Sequence, residues 1–386
     1  MRICVVYDCL FPYTVGGAER WYRNLAERLA LAGHEVTYLT MRQWERGEHP
    51  ELPGLRVIAV APRMDLYVHG RRRIAPPLRF GAGVLAHLLI HGNDYDVVHT
   101  ASFPYFSLLA AAAARPRGRY RLVCDWHEVW SREYWREYLG AAGWFGIAVQ
   151  RLCARVRQRA FCFSRLHAQR LRDEGLRGEV VVLEGEYAGP LEPEPPVAMP
   201  AEPTVIFAAR LIPEKRAASL VPAIELAAQS VPGLHGVIFG DGPERERVLA
   251  AIAALSDPTL VQAPGFVEAA ELHGALRRAA VMVNPSSREG YGMIVVEAAT
   301  AGTPSVVVRA PDNAAVELID EGVNGFVADS VAATELAAAI VRVCEAGEPL
   351  RTSTREWFAA NARRLSLESS LETVLASYAE EPSVRA

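Results

Sequence analysis

The chain has few cysteines and no long apolar run. Its six cysteines are scattered over 386 residues without one C-x-x-C pair, so neither a zinc site nor a disulfide framework is predicted. No stretch reaches the ~20 apolar residues of a membrane-spanning helix. Asp8 interrupts the apolar N-terminal segment, which argues against a signal peptide. These absences favour a reduced, cytoplasmic protein.

Excess positive charge is also missing. The 41 basic residues face 45 acidic ones, giving a formal net charge of −4, so the chain has no electrostatic surface suited to nucleic acid. Nucleic acid is therefore not a predicted partner. Only one basic residue is a lysine, Lys215. A single ammonium in a chain that otherwise uses arginine indicates a role that a guanidinium does not fill.

Length and patterning predict two domains, because 386 residues exceed the usual size of one hydrophobic core. Six prolines between 188 and 203 are typical of a linker. Apolar runs alternate with helical patterns on both sides of it, which predicts α/β domains with parallel sheets covered by helices. The predicted domains are 1–187 and 204–365, followed by a C-terminal helix at 366–386 that could pack on either domain.

Ten strands are predicted from the apolar runs. They lie at 2–7, 35–40, 55–60, 95–100 and 121–126 in the first half, and at 204–210, 235–242, 259–265, 279–285 and 304–308 in the second. A helix is predicted at 18–32, and the chain after Val331 is predicted to be mostly helical.

Two carboxylates bracket a glycine turn in NPSSREGYGMIVVEAATAG, residues 284–302. Gly290 and Gly292 precede an apolar run, and a turn that enters a helix presents free backbone N–H groups and the positive end of the helix dipole. That arrangement suits an anion, whereas Glu289 and Glu297 would repel a phosphate. The combination predicts a ligand that carries both phosphate and sugar hydroxyls.

Two further loops of the second half have binding and structural interpretations. Arg210 and Lys215 in FAARLIPEKRA could converge on a pyrophosphate, or they are solvated surface charges. In GDGPERE, Gly240 could let the backbone approach a nucleotide, whereas Pro243 at a helix start explains the same segment structurally.

The first half offers a glycine turn and a histidine. Gly16 and Gly17 precede the predicted helix, where backbone amides could meet a phosphate or sugar, or where glycine only allows a tight turn. GGAER does not match G-x-G-x-x-G, which argues against a nicotinamide enzyme. His127 follows a predicted strand, where α/β folds open their ligand crevice, or it is a satisfied strand-end histidine. His99 is interpreted as structural.

Trp130, Tyr134 and Tyr138 recur at helical spacing. The stripe is interpreted first as core-facing. The alternatives are an aromatic platform for an acceptor, and a membrane-interface contact helped by Arg71-Arg72-Arg73 and the arginines from Arg151 to Arg159.

Asp94 and Asp96 form a D-x-D, which metal-dependent transferases use, but they precede a strand and are interpreted as its start. No metal site is predicted.

In their order and spacing, GGAER, VCDWHE, AARLIPEK, FGDGPERE, PGFV and REGYGMIVVEAATAGTP resemble the GT-B glycosyltransferases of family 4, also called glycosyl transferases group 1. The resemblance covers nearly the whole chain. It implies two Rossmann-like domains that face each other across a cleft. It also implies retaining, metal-independent hexosyl transfer from a nucleotide-diphosphate sugar to an acceptor hydroxyl.

The resemblance implies roles for individual residues. Glu297 binds the ribose, Glu289 faces the donor sugar, and Arg210 and Lys215 hold the pyrophosphate. His127 and the Gly16-Gly17 loop approach the transferring sugar. The catalytic set is His127, Glu289, Arg210 and Lys215. The donor-binding set is Gly16, Gly17, Arg210, Lys215, Gly240, Gly290, Tyr291, Gly292, Met293 and Glu297. No cofactor is implied; the co-substrate is a UDP-sugar in the first place, with GDP- and dTDP-sugars as alternatives.

The chain departs from the family pattern in two places. Glu184-Gly185-Glu186 stands where the family often has Asn-Gly, and Ala209 and Arg216 replace common glycines.

A sugar-nucleotide epimerase of the same architecture and a non-catalytic sugar-nucleotide sensor are the alternative functions. The acceptor is left open among small molecules, polysaccharides and lipid-linked sugars. A peripheral contact of the protein with the inner face of the membrane is left open as well. The oligomeric state is also open.

Overall fold

The computed structural model describes residues 1–14, 16–45, 47–68, 71–195, 197 and 202–379. The chain divides into two compact units. The first comprises Met1–Glu186 and the described residues from Glu368 onward, and the second comprises Tyr187–Leu367. The sequence predicts the domain boundary at 188–203; residues 196 and 198–201 of that segment lie outside the described residues.

The first unit contains a seven-stranded parallel sheet. Its strands are β1 (Arg2–Val6), β2 (Glu35–Met41), β3 (Leu55–Ala61), β6 (Val97–Ala101), β7 (Arg121–Trp126), β8 (Arg159–Cys162) and β9 (Val180–Val182). Their order is β3-β2-β1-β6-β7-β8-β9. Between β3 and β6, a short antiparallel pair consists of β4 (Tyr67–Val68) and β5 (Arg71–Arg72). The helices of Met1–Glu186 are α1 (Gly17–Leu31), α2 (Ala75–His91), α3 (Phe106–Gly118), α4 (Arg132–Leu139), α5 (Gly143–Ala154) and α6 (Arg165–Asp173).

The second unit contains a six-stranded parallel sheet. Its strands are β10 (Thr204–Ala208), β11 (His235–Phe239), β12 (Val261–Gly265), β13 (Val281–Asn284), β15 (Ser305–Val308) and β17 (Gly325–Ala328), in the order β12-β11-β10-β13-β15-β17. A separate parallel pair joins β14 (Arg288–Glu289) to β16 (Asp312–Asn313). The helices are α7 (Ala217–Ala228), α8 (Arg245–Ala253), α9 (Ala269–Arg278), α10 (Met293–Thr300) and α11 (Ala333–Leu365), and α11 is kinked at Gly347.

The final helix, α12 (Leu367–Ala379), packs in the first unit. Leu371, Val374 and Tyr378 are buried. The guanidinium of Arg159 donates to the Ser377 carbonyl over 3.2 Å. Among the described residues, none of the helices combines the length and the apolar character needed to cross a membrane.

Each sheet has one point at which the strand order reverses direction. In the first unit this point lies between β1 and β6, and in the second between β10 and β13. Ligands of open α/β sheets bind outside the carboxyl ends of the strands at such points, because the loops on either side diverge there. The loops that follow β10 and β13 carry Arg210, Lys215 and Glu289.

The predicted fold class, α/β with two parallel sheets and C-terminal helices, is confirmed. Each of the ten predicted strands occurs, with ends that differ by a few residues. Seven strands were missed: β8, β9 and β17 in the two large sheets, and the two-residue strands β4, β5, β14 and β16 outside them. β8, β9 and β17 have only four, three and four residues, and apolar runs this short do not distinguish a strand from a segment of helix.

Candidate functional site

Lys215 and Glu289 meet at the carboxyl edge of the second sheet. Lys215 ends the 3-10 turn Pro213–Lys215 after β10, and Glu289 lies in β14 after β13. The Lys215 ammonium is 2.5 Å from Oε1 of Glu289, and the two side chains are only 18% and 13% exposed. The strand order therefore joins two residues 74 positions apart.

Glu289 accepts further hydrogen bonds at the same oxygen. Asn284 Nδ2 donates over 3.1 Å and Ser286 Oγ over 2.8 Å. Burial opposes ionisation of this carboxyl, but the Lys215 charge and the hydrogen bonds outweigh it and hold the pKa of Glu289 below its usual value. Glu289 is thus an anion held in one orientation before any ligand binds.

Hydrogen bonds from the backbone and from the Asn313 side chain hold the loops that carry this pair. The Ser287 N–H donates to the Glu214 carbonyl over 2.8 Å. The buried Asn313 side chain donates to the carbonyls of Ser286 and Val308, over 3.0 and 2.8 Å. These contacts fix the distance between the two loops, so the Lys215–Glu289 geometry is built into the unit.

The glycine turn leads into α10 as predicted. Gly292 precedes the helix with a positive φ of 111°, and a Cβ there would lie 2.7 Å from the Cβ of Ala315, so only glycine fits. Within the described part of the chain, no side chain caps the helix. Glu297 is the fifth helical residue and is half-buried, like Met293, whereas Tyr291 is buried. Glu297 lies about 7.5 Å along the axis from Gly292.

Arg210 and Gly240 have different surroundings. Arg210 follows β10 and is exposed. Gly240 has a φ of 128°, and a Cβ there would lie 1.9 Å from the Ala209 carbonyl oxygen. The close approach of two loops therefore accounts for this glycine, and its role in donor binding stays a prediction.

Arg216 occupies a left-handed conformation where the family commonly has glycine. Its φ is 49° and its ψ is 33°, directly before α7. This conformation costs non-glycine residues about 1–2 kcal/mol, partly offset by the greater unfolded-state freedom of glycine. Arg216→Gly is therefore expected to raise the free energy of unfolding by about 0.5–1 kcal/mol.

Chemical denaturation measures this effect, with Arg216→Ala as the control because alanine removes the guanidinium but keeps the Cβ. An Arg216→Gly variant no more stable than Arg216→Ala would show that the conformation is not strained.

His127 lies at the carboxyl edge of the first sheet, directly after β7. Its ring stacks on Phe163, with centroids 4.4 Å apart and an interplanar angle of 8°, and Tyr22 meets it edge-on at 5.9 Å. Oε1 of Glu186 is 3.8 Å from its Nδ1. Burial lowers the pKa of His127, so the imidazole is neutral near pH 7.

The predicted glycine turn of the first unit precedes α1. Gly16 is extended, and a Cβ there would meet only the carboxylate end of Glu19, a side chain that can rotate away. A Cβ on Gly17 would meet nothing within 4 Å among the described residues. Packing against them therefore does not require glycine at Gly17, and its proposed approach to the transferring sugar stays a prediction.

A buried polar network lies behind His127. Asp125 accepts from Trp21 Nε1 and from His99 Nε2, both over 2.7 Å, and Nδ1 of His99 contacts the Tyr378 hydroxyl of α12. His99 has no exposed surface, which agrees with its interpretation as a structural histidine.

The burial of the aromatic stripe agrees with its first interpretation as core-facing. Trp130 and Tyr134 are 8% and 7% exposed and belong to the core, and the alternative of an acceptor platform stays a prediction. Trp130 also precedes α4, because Ser131 caps that helix by accepting from the Tyr134 N–H over 3.1 Å. Tyr138 remains half-buried, with its ring 5.2 Å from that of Trp130.

Asp94 and Asp96 lie at the amino end of β6. Asp96 accepts from the Arg2 backbone N–H and guanidinium, over 2.8 and 3.0 Å, and Asp94 contacts His91 at 3.2 Å. Across the described part of the chain, no three or more His, Cys, Asp or Glu side chains are grouped so as to hold a metal ion.

Four residues of these sites were missed from the sequence. Asn284, Ser286 and Asn313 organise Glu289, and Glu186 faces His127. Asn284 and Ser286 lie inside the quoted NPSSREGYG stretch, so their position just before Glu289 was the available signal. Asn313 and Glu186 come from separate loops, and no sequence pattern indicated that they lie near these sites.

Comparisons with known proteins identify the family. The model described as Glycosyl transferases group 1 matches residues 193–365, and that described as Glycosyltransferase Family 4 matches residues 15–184. Glycogen synthase of Mycobacterium tuberculosis is 26% identical over 79% of this chain and 77% of its own length.

Solved structures share the fold. Sucrose-phosphate synthase from Thermosynechococcus elongatus has a TM-score of 0.79 at 18% identity, over 98% of each chain. HepE of Anabaena in complex with UDP-glucose has a TM-score of 0.73 at 18% identity, over 98% of this chain and 99% of that one. With both of its units matched by a family model, the chain belongs to the group 1, family 4 glycosyltransferases of the GT-B fold.

Proposed function

We propose that the chain transfers a hexose from a nucleotide-diphosphate sugar to an acceptor hydroxyl, with retention of configuration and without a metal ion. One observation supports this most directly. The Lys215 ammonium and the Glu289 carboxylate are held together where the order of the second sheet reverses. A diphosphate needs cationic donors and a sugar needs acceptors for its hydroxyls, and this pair supplies one of each.

The ligand is proposed to lie across the glycine turn. An ammonium has three donors, so Lys215 can hold Glu289 and still reach phosphate oxygens. The uncapped N–H groups of α10 and the exposed Arg210 add positive potential. Glu297, further along the helix, takes the ribose hydroxyls. Carboxylates therefore bind hydroxyls while cations and amides bind phosphate.

Departure of the nucleoside diphosphate develops negative charge on its phosphates. Lys215, Arg210 and the N-terminus of α10 would stabilise that charge electrostatically. The acceptor attacks from the face that the leaving group vacates, its proton passes to the leaving phosphate, and the anomeric configuration is retained. This route requires no protein nucleophile.

Product analysis in the presence of excess chelator tests the proposal. UDP-, GDP- and dTDP-sugars are offered, with UDP-sugars first because HepE was solved with UDP-glucose. Release of nucleoside diphosphate only when an acceptor is present, with the anomeric configuration of the donor kept in the product, is expected. Activity that returns only with magnesium or manganese would refute metal independence. An epimerised donor would identify an epimerase, and tight binding without turnover across many acceptors would identify a sensor.

We also propose that the first unit contacts an anionic membrane surface. Residues 138–172 contain seven arginines and no acidic residue, and residues 66–93 contain four arginines and no acidic residue. Trp144, Phe145 and Leu152 are 68%, 50% and 56% exposed on α5. Exposed aromatic side chains beside arginines suit the lipid headgroup region.

The arginines named for this contact are not equivalent. Arg151 pairs with Glu174 at 2.6 Å and Arg159 with Glu179 at 3.1 Å, whereas Arg155 is exposed. The side chains of Arg71 and Arg72 lie outside the described residues. Trp144 and Phe145 therefore provide the sharper test.

Trp144→Ser/Phe145→Ser is expected to weaken binding to vesicles rich in anionic lipid by about tenfold or more, because two large apolar side chains no longer insert. Flotation of the full chain with anionic and with zwitterionic vesicles measures this. Leu226→Ser, an exposed apolar position in the second unit, is the matched control. Equal flotation of both variants and the wild type would contradict the membrane contact.

A further inference from the structure

Glu186 is a mostly buried carboxyl group beside the ring of His127. It follows β9, the strand at one edge of the first sheet, and its side chain is 13% exposed. Its Oε1 is 3.8 Å from Nδ1 of His127. The preceding residue is anchored, because the Gly185 N–H donates to Ser370 Oγ of α12 over 3.1 Å. Three neighbouring strands thus bring Glu186, His127 and Phe163 together at their carboxyl ends.

Packing fixes the plane of the His127 ring but does not determine its protonation. Phe163 and Tyr22 cover the ring; Phe163 has no polar side-chain atom, and the Tyr22 hydroxyl makes no hydrogen bond to the ring in the described structure. Nε2 is buried without a hydrogen-bond partner in the described structure. A buried polar atom without a partner points to a ligand or substrate group that completes it.

Four other titratable groups near His127 are engaged elsewhere. Asp125 accepts from Trp21 and His99. Glu128 accepts from Trp130 Nε1 over 2.8 Å. His167 Nδ1 accepts from the Val129 N–H over 3.1 Å, and His99 lies between Asp125 and Tyr378. Glu186 is the carboxyl group that faces Nδ1.

We infer that Glu186 is a positioning residue, whose carboxyl group bonds Nδ1 of His127 and so decides whether Nε2 donates or accepts a hydrogen bond. The inference rests on the proposed function only through the approach of His127 to the transferring sugar. The present separation exceeds a hydrogen bond by about 0.6–1 Å. Hydrogen bonds of this kind are often long before substrate binds and shorten afterwards.

The direction of the bond follows from the protonation states. Burial, helped by the charge of Asp125, raises the pKa of Glu186 to about 8, and the imidazole is neutral near pH 7. A neutral carboxyl group then donates its proton to Nδ1, so the ring hydrogen stays on Nε2 and points to the ligand. When Glu186 loses its proton, the carboxylate accepts from Nδ1–H, and Nε2 becomes an acceptor.

Nitrogen NMR of the full-length enzyme, free and with bound UDP, reports the tautomer without any turnover. With 15N-labelled histidine, the His127 signals are assigned by their loss in His127→Gln. The wild type is expected to carry hydrogen on Nε2 at pH 7 and to change to Nδ1 as pH rises through about 8. In Glu186→Gln the amide donates to Nδ1 at every pH, so no change is expected.

Steady-state kinetics supply the second readout. The kcat of the wild type is expected to fall as pH rises through about 8, when Nε2 becomes an acceptor. Glu186→Gln is expected to keep kcat near wild type at pH 7 and to show no such fall. Glu186→Ala is expected to lower kcat about three- to tenfold. Donor KM changes little in both variants. The same tautomer in wild type and Glu186→Ala at pH 7, or an alkaline transition that persists in Glu186→Gln, would overturn the inference. Because the NMR experiment needs no turnover, failure of the proposed function would be recognised separately.

Discussion

Lys215→Arg is expected to lower kcat/KM by one to two orders of magnitude, although arginine is the usual cation of this chain. The ammonium is a compact donor that reaches a single oxygen of Glu289 at 2.5 Å in a mostly buried site. A guanidinium is planar and larger, so it would displace either the Glu289 carboxylate or the phosphate. Loss of a charge-assisted hydrogen bond in the transition state corresponds to about 1.5–3 kcal/mol. Steady-state kinetics measure the effect.

Arg210→Lys is the matched control. Arg210 lies in the same loop after β10 but is exposed, so replacing its guanidinium by an ammonium should lower kcat/KM clearly less. Full kcat/KM in Lys215→Arg would show that positive charge alone suffices at this position.

Removing the ammonium should also destabilise the second unit. Lys215→Met leaves the buried Glu289 anion without its counter-charge, a loss toward the lower end of about 3–5 kcal/mol because both side chains keep some solvent contact. Lys215→Met/Glu289→Gln is expected to recover much of this stability, because the neutral amide needs no cation. Denaturation of the two variants separates this structural effect from the catalytic one.

The two glutamates should affect different kinetic constants, and this is the second large effect. Glu297→Ala is expected to weaken donor binding while leaving kcat nearly unchanged, because the ribose changes little between ground and transition state. Glu289→Gln should lower kcat more than it weakens binding, because the sugar ring near Glu289 gains positive charge as the leaving group departs. Each loss is expected to be about one to two decades, from roughly 1.5–3 kcal/mol.

Calorimetric donor titration beside steady-state kinetics measures both variants. Glutamine is chosen at position 289 because it keeps the shape of the side chain that holds Asn284, Ser286 and Lys215. Loss of binding alone in Glu289→Gln, with loss of turnover alone in Glu297→Ala, would reverse the two assignments.

The residues that the sequence predicted best are those whose partners are local. Gly292 and Glu297 belong to one turn and one helix, so helix geometry alone relates them. The pairing of Lys215 with Glu289 could not be read in the same way, because it depends on β10 lying next to β13. Local patterns do not encode strand order in a parallel sheet.

The aromatic stripe and Glu186 show two other limits. Helical spacing predicted one face for Trp130, Tyr134 and Tyr138, and their rings do contact one another, but the spacing did not show that the Ser131 cap starts the helix after Trp130. Glu186 looked only like a departure from the family pattern. Its position beside His127 arises because β7, β8 and β9 are neighbours in the sheet, and no spacing in the sequence reports that.

The central claim is that the Lys215–Glu289 cluster binds the diphosphate of a nucleotide sugar without a metal ion. Calorimetric titration of UDP into the full-length enzyme with excess chelator tests it most directly, with Lys215→Met and the stability-recovered Lys215→Met/Glu289→Gln beside the wild type. Saturable binding to the wild type, weakened at least about tenfold in both variants, is the predicted result. Equal affinity in all three proteins, or wild-type binding that appears only when magnesium is added, would contradict the claim.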